Sequence, residues 1–241
     1  MAIDLALNPS LDATALSRRF AERGRLQIPD VLAPVTAAAL HAALRARGDW
    51  RQVVNSGDKL IELDRDVRAG MTQEQRCALD DAVYAGARAG FQYRYESIRA
   101  PDDERARVAS DDPLARFASW WSSGAARDFL RAVTGEDAIA FADAQATAYA
   151  PGDFLTGHDD AFHGKERVAA YVLSLTPKWR PEWGGLLLFH GDDGLAMEGM
   201  APRFNTLNLF RVPQMHSVSE VTRAAAYRRY SITGWLRRGR S

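Results

Sequence analysis

His158, Asp159 and Asp160 form an H-x-D tripeptide, and on an extended segment its first and third members project from one face. That spacing lets an imidazole and a carboxylate grip one ion. A third donor has to come from elsewhere, and His216 follows 56 positions after Asp160 (216 minus 160), at the start of a later predicted strand. Two histidines and one carboxylate occupy one face of an octahedron and leave adjacent positions open, the arrangement that suits non-haem iron(II) chemistry with dioxygen and a chelating co-substrate. A zinc hydrolase uses the same donor types with a bound water, but no general base is tied to these residues in the sequence. The tripeptide alone is a weak signal. The chain holds a second one, His190-Gly191-Asp192, which runs into Asp193 and Gly194 in the context of a turn. His163, beside Gly164 and Lys165, reads as a loop residue, and His41 falls within an early helix.

The segment from Arg228 to Trp235 reads as a strand in which Arg229, Ser231 and Thr233 share a face. A guanidinium with a hydroxyl two residues away is a suitable holder for a carboxylate, because the planar fork donates paired charge-assisted bonds and the hydroxyl adds another. The competing reading is the polar face of an edge strand; the position after His216 favours a clamp for the distal carboxylate of 2-oxoglutarate. Tyr149, nine residues before His158, shares a face with Thr147 and Gln145 and offers a hydroxyl to the same co-substrate.

The elements that must position these residues are bounded by composition. The chain has 241 residues, 46% of them hydrophobic, enough for one sizeable core. Lys and Arg total 31 and Asp and Glu total 31, so no global field favours nucleic acid or an anionic membrane, and any acidic partner must be met locally. Neither direct nucleic-acid binding nor membrane association is expected. Cys77 is the one cysteine, which excludes an intramolecular disulfide and a thiolate-rich zinc cluster. The segment Met1 to Leu11 lacks a basic start followed by a long apolar stretch, and the apolar runs elsewhere are too short to span a bilayer, so a cytoplasmic location is expected.

The first half reads as helical. Leu16 and Phe20 lie on one face of Ala13 to Arg23, with Gly24 as the stop, and Leu26 to Pro29 is a short extended piece. Pro34 opens a second helix running toward Arg47; Thr72 with Gln75 is a capping-box signature; Asp112 with Pro113 marks another start. The aromatic residues Phe117, Trp120 and Phe129 read as packing. From about Ile139 onward, short strands alternate with Gly, Pro and Asp turns: 145–149, 154–160, 168–175, 185–189, 206–211, 216–221 and 229–236. Helices followed by many short strands predict a mainly β core, an antiparallel jelly-roll barrel buttressed by the N-terminal helices. The expected organisation is a single catalytic unit over 1–241, with helical support in 1–137 and the jelly-roll core in 138–241.

These residues resemble the prolyl-hydroxylase-like branch of the 2-oxoglutarate- and iron(II)-dependent oxygenases. The likeness runs from Tyr149 through Pro151, Gly152 and Phe154 to His158 and Asp160, through Val172 to Pro177 and Trp179 to Phe189, and on through Asn205 to Arg211, His216 to Val221 and Arg229 to Trp235. It is nearest to the ribosomal-protein prolyl hydroxylases and their bacterial relatives. Ser174 stands where some relatives use a tyrosine near the co-substrate, which leaves it outside the expected clamp; residues 50–133 carry no specific motif. The resemblance implies a double-stranded β-helix (jelly roll) with N-terminal packing helices, Fe(II) held by His158, Asp160 and His216, 2-oxoglutarate and dioxygen consumed together, and oxygen insertion into a carbon–hydrogen bond. Its expected substrate is a prolyl residue of a ribosomal protein or an elongation factor. A hydroxylase of small molecules or free amino acids and a cupin-like metal-binding protein without turnover are the alternatives.

Overall fold

A computed structural model describes residues 3–161, 164 and 166–239, so His163 and Lys165 lie outside the described residues. In chain order the first part comprises α1 (Ala13–Arg23), β1 (Arg25–Ile28), α2 (Pro34–Ala46), β2 (Arg51–Ser56), β3 (Lys59–Asp64), α3 (Arg65–Gly70) and α4 (Gln73–Ala89). Next come β4 (Tyr93–Arg99), α5 (Glu104–Val108), α6 (Pro113–Trp121) and α7 (Gly124–Thr134). The strands β5 (Ile139–Ala142), β6 (Gln145–Tyr149), β7 (Phe154–His158), β8 (Arg167–Ser174), β9 (Leu187–His190), β10 (Met197–Met200), β11 (Thr206–Arg211), β12 (His216–Val218) and β13 (Arg229–Arg238) complete the chain.

The helix boundaries follow from local chemistry. The Asp12 carboxylate accepts from the Ala15 N–H, Thr72 and Gln75 satisfy each other's backbone donors, and Asp112 accepts from Leu114 and Ala115. Gly24 stops α1 at φ 65°, a conformation that costs a glycine little.

Strands β6 to β13 form the double-stranded β-helix. One sheet runs β11-β8-β13-β6 and the other β7-β12-β9-β10, with antiparallel pairing throughout. The pleat divides β6 cleanly. Ala146 and Ala148 turn outward to pack under the helices with Leu16, Leu40, Trp121 and Leu130, while Thr147 and Tyr149 turn inward. The helices of the first half and the outer face of this sheet thus share one buried cluster. Between the two sheets lie Val172, Leu187, Phe189 and Phe210.

The first half is less purely helical than its sequence suggests. β1 extends the first sheet beside β11, and β4 bridges the two sheets between β6 and β7 while also pairing with β2 of the β2–β3 hairpin. β4 escapes pattern reading because its charged face is the buried one. Arg94 is held by Asp80, Asp153 and the Gly152 carbonyl, and Glu96, 1% exposed, meets Arg65, Arg68 and Arg228. Burial alone would raise the Glu96 pKa, but the three guanidinium groups outweigh it and hold the carboxyl below its ordinary range. β2, β3, β5 and β10 are also absent from the pattern, β10 because Met197-Glu198-Gly199-Met200 is exposed on alternate residues and contains a glycine. None of the described helices is long and apolar enough to cross a membrane.

Candidate metal centre

His158 ends β7 and His216 begins β12, and the two residues are direct cross-strand partners. Directly opposed residues point to the same face, which brings the ring centroids to 4.1 Å. Asp160 arrives differently from the sequence expectation. β7 stops at His158 rather than continuing to residue 160, and Asp160 adopts φ 63°. A left-handed turn, not strand alternation, swings the carboxylate back to 3.4 Å from the His158 Nε2 and 3.5 Å from the His216 Nε2. Aspartate tolerates this backbone region better than most residues.

The second nitrogen of each imidazole is engaged. His158 Nδ1 lies 3.0 Å from the Thr156 carbonyl and His216 Nδ1 lies 2.7 Å from the Gln214 carbonyl. A carbonyl accepts only from a protonated nitrogen, so in the neutral imidazole the Nδ1 proton goes to the carbonyl and the Nε2 lone pair faces Asp160. Burial, reinforced by the neighbouring His158, pushes the His216 pKa down to about 4. Burial alone would raise the Asp160 pKa, but the facing imidazoles outweigh it and hold the carboxylate ionised. Arg167 donates to the Asp160 backbone carbonyl at 2.9 Å and rests 3.5 Å from the centroid of the Trp235 ring, which secures the turn from behind.

One ligand atom from each of His158, Asp160 and His216 falls within 4.8 Å of the others, and the two imidazole Nε2 atoms stand 3.4 Å and 3.5 Å from the carboxylate oxygens, separations that two metal–ligand bonds of about 2.0–2.2 Å span. This is the one such group of donors among the described residues. His190 is not part of it. Its Nε2 pairs with the Ser217 hydroxyl at 2.8 Å, and Asp192 is exposed in the turn beyond.

Deeper between the sheets lies Arg229, 2% exposed. Its β13 register sets it opposite Tyr149, and its Cζ is 5.1 Å from the centroid of the Tyr149 ring. No carboxylate lies within ion-pair range of Arg229 among the described residues, and its Nε is buried without a hydrogen-bond partner. Burial pushes the Arg229 pKa down and the Tyr149 pKa well up. Ser231 is opposite Thr147 on one side and Ser174 on the other, and its hydroxyl accepts from Thr147 at 3.4 Å. Gly185 makes room for the arginine: a Cβ there would stand 3.2 Å from the Arg229 Cδ and 3.1 Å from a Val221 methyl.

Tyr149, Arg229 and Ser231 therefore converge as their alternation implies, while Thr233, on the same face, is further along and donates to the Gln145 carbonyl at 3.5 Å. Ser174 lies outside the clamp that the sequence suggests, yet it is fully buried in register with Ser231 and its hydroxyl has no partner. Its signal is cross-strand register, which only the fold supplies. Arg167 carries no sequence signal beyond a charge at the start of an apolar strand.

A double-stranded β-helix holding two imidazoles and a carboxylate at its open edge, with an unpaired arginine behind them, defines a class of metal-binding jelly rolls. Residues 144–237, which contain all of these side chains, match the 2OG-Fe(II) oxygenase superfamily. The chain resembles the prolyl-hydroxylase-like members of that superfamily. It is 34% identical over 117 residues to the prolyl 3-hydroxylase OGFOD1 of Mus musculus and 32% identical over 123 residues to the prolyl 3-hydroxylase sudestada1 of Drosophila melanogaster, covering 46% of this chain in each case. The chain spans 21% and 22% of the length of these relatives. In fold it is similar to a Pseudomonas putida prolyl-4-hydroxylase, with a TM-score of 0.59, 18% identity and coverage of 95% of this chain and 100% of that one. It is also similar to a Trichoplax adhaerens prolyl hydroxylase solved with a hypoxia inducible factor peptide, with a TM-score of 0.60, 16% identity and coverage of 94% and 89%.

The superfamily implies Fe(II) and 2-oxoglutarate with dioxygen. The residues present fit both: the donor set leaves adjacent coordination positions open, and Arg229 with the Ser174 hydroxyl offers buried donor capacity that nothing in the protein uses.

Proposed function

We propose that this chain is a 2-oxoglutarate- and iron(II)-dependent dioxygenase that hydroxylates a prolyl residue of a translation protein, with residues 1–241 acting as one catalytic unit. The observation that carries the co-substrate assignment is Arg229. A guanidinium 2% exposed and lacking an anionic partner is costly unless a carboxylate joins it, and the distal carboxylate of 2-oxoglutarate is an anion of the right kind. Ser231 and Ser174 flank that position in register, and Tyr149 closes it with its ring and hydroxyl.

In this reading His158, Asp160 and His216 hold the iron. When bound together, iron, 2-oxoglutarate and dioxygen supply an oxidant able to place one oxygen atom into a carbon–hydrogen bond while the keto acid becomes succinate and carbon dioxide. The protein's share is positioning and exclusion of water. The Thr156 and Gln214 carbonyls fix both imidazoles with their Nε2 lone pairs forward, Arg167 anchors the Asp160 turn, and Arg229 orients the co-substrate from behind.

The prolyl substrate is carried by the kinship with prolyl 3-hydroxylases, and a ribosomal protein of the small subunit or an elongation factor is the first candidate. The experiment is to incubate the purified chain with Fe(II), 2-oxoglutarate and candidate proteins or their proline-containing loop peptides, then map a one-oxygen mass gain by fragmentation, with Asp160→Ala as control. Oxygenated proline is the expected product. Efficient oxidation of free amino acids or small metabolites with no oxygenated proline would reassign the substrate and leave the oxygenase reading standing.

A further inference from the structure

The balanced total charge conceals a local imbalance on the side of the molecule formed by the β8–β9 connection, the segment before β11 and the segment before β13. A cavity of about 930 Å³ there is lined by Trp179, Trp183, Tyr227, Lys178, Arg180 and Arg203. It continues into a second cavity of about 300 Å³ that shares Thr176, Pro177, Lys178 and Tyr227 with it and adds Arg45, Arg228 and Tyr230.

Five cations thus line these two adjoining cavities, which together form the groove, and Asp30 is the single acidic residue in their lining. Arg228 is occupied by the buried Glu96, and Arg180 stands 3.9 Å from Glu182 with both side chains mostly exposed. Lys178, Arg203 and Arg45 have no ion-pair partner among the described residues. The groove therefore carries uncompensated positive charge.

Its other component is aromatic, the exposed Tyr227 beside the half-buried Trp179 and Trp183. Trp183 stands edge-on to Trp179 at 5.4 Å and to Tyr227 at 5.9 Å, with the Arg180 guanidinium 5.8 Å from the Trp183 ring centroid. Tyr227 is 57% exposed, which is unusual for so large a ring. Cations alone would serve any polyanion. Aromatic faces interleaved with them match a polyanion that also presents flat rings, because bases stack on such faces while the cations track phosphates.

We propose that this groove binds a single-stranded nucleic acid segment, at a site separate from the metal centre. A protein with no net charge would then recognise nucleic acid locally, and the oxygenase would be recruited to a nucleic-acid-containing assembly without its active site touching the polymer.

The test uses the full chain and a fluorescein-labelled oligouridylate followed by anisotropy, with oligothymidylate, uridine monophosphate and a polyglutamate peptide as parallel probes. The expected result is oligouridylate binding at roughly 10 µM or tighter in low salt, with log affinity falling against log salt at a slope of about −2 for three phosphates. The monophosphate and the peptide are expected to compete weakly. Lys178→Glu with Arg203→Glu should weaken binding by about tenfold or more, and Trp183→Leu should weaken it without changing the salt slope. Lys178 and Arg203 are exposed and unpaired, so the double variant is expected to melt with the parent and to convert 2-oxoglutarate at the parent rate. Absence of oligouridylate binding, binding unchanged in the double variant, or polyglutamate binding as tight as oligouridylate would overturn the proposal; the last would make the groove a site for acidic polypeptide instead.

Discussion

Two H-x-D tripeptides, His158-Asp159-Asp160 and His190-Gly191-Asp192, end the two strands that flank β12, and only the first becomes part of a metal-binding constellation. The difference is one residue of register. His216 faces His158 on β7, but on β9 it faces Phe189. His190, one position further, is therefore carried by the pleat to the opposite face, where it meets Ser217 rather than His216. The turns beyond the two histidines widen the contrast. Asp160 folds back through a left-handed turn toward the imidazoles, whereas Asp193 accepts from the Leu195 and Ala196 N–H groups and closes a hairpin that leads Asp192 away. Equal spacing gives unequal chemistry because the partner strand, not the tripeptide, decides which face a side chain occupies.

The largest expected effect separates the two tripeptides outright. His158→Ala, Asp160→Ala or His216→Ala should abolish stoichiometric iron binding measured by metal analysis after desalting, while His190→Ala and Asp192→Ala should each retain one iron per chain. Loss of iron from the second pair with retention in the first would invert the assignment.

A second test sharpens the contrast through pH. The folded metal-free protein holds the His216 pKa at about 4 against an ordinary 6.5. Between those values the unfolded chain binds a proton that the folded chain does not, so stability falls as pH drops. The contribution is fully present above pH 6.5 and is lost through pH 4, in total on the order of 3 kcal/mol. Burial raises the Asp153 pKa to about 7 and gives the opposite slope over the same range, so the His216 contribution is read as a difference: in urea denaturation of metal-free protein from pH 7 to 4, the parent should lose more stability, or gain less, on acidification than His216→Asn, and identical pH dependence in the two would remove His216 as a source.

Behind the first tripeptide, on the inward face, Arg229→Ala should weaken 2-oxoglutarate binding by about thirtyfold, the roughly 2 kcal/mol of a charge-assisted contact, with iron binding preserved. Arg228→Ala should leave the co-substrate requirement alone, since Arg228 is turned to Glu96. Anaerobic titration calorimetry reads both, and equal affinity in Arg229→Ala and the parent would take Arg229 out of the site. The smallest effect belongs to the second tripeptide: His190→Ala loses its bond to Ser217 and should cost about 1 kcal/mol of stability in the same urea assay, with turnover intact.

Much of this is legible in the sequence. The shared face of Arg229, Ser231 and Thr233 on β13 and that of Gln145, Thr147 and Tyr149 on β6 follow from alternation, whereas the register that sets Tyr149 opposite Arg229 comes from the fold; the boundaries of α1 and α4 follow from Asp12, Gly24 and the Thr72–Gln75 box. The Asp160 turn is not, because a left-handed aspartate leaves no periodic trace and alternation carries the strand through to residue 160. β4 is hidden because Arg94 and Glu96 are buried by pairing with distant residues, the reverse of the polar-outward rule on which strand reading rests. Ser174 needs register, a property of three strands at once, to reveal that its hydroxyl faces Ser231.

The most direct test of the central claim compares the two aspartates in one assay, the conversion of 2-oxoglutarate to succinate by purified protein supplied with Fe(II) and dioxygen. Asp192→Ala should form succinate at the parent rate and Asp160→Ala should form none. Succinate formation that survives Asp160→Ala and disappears in Asp192→Ala would contradict the account.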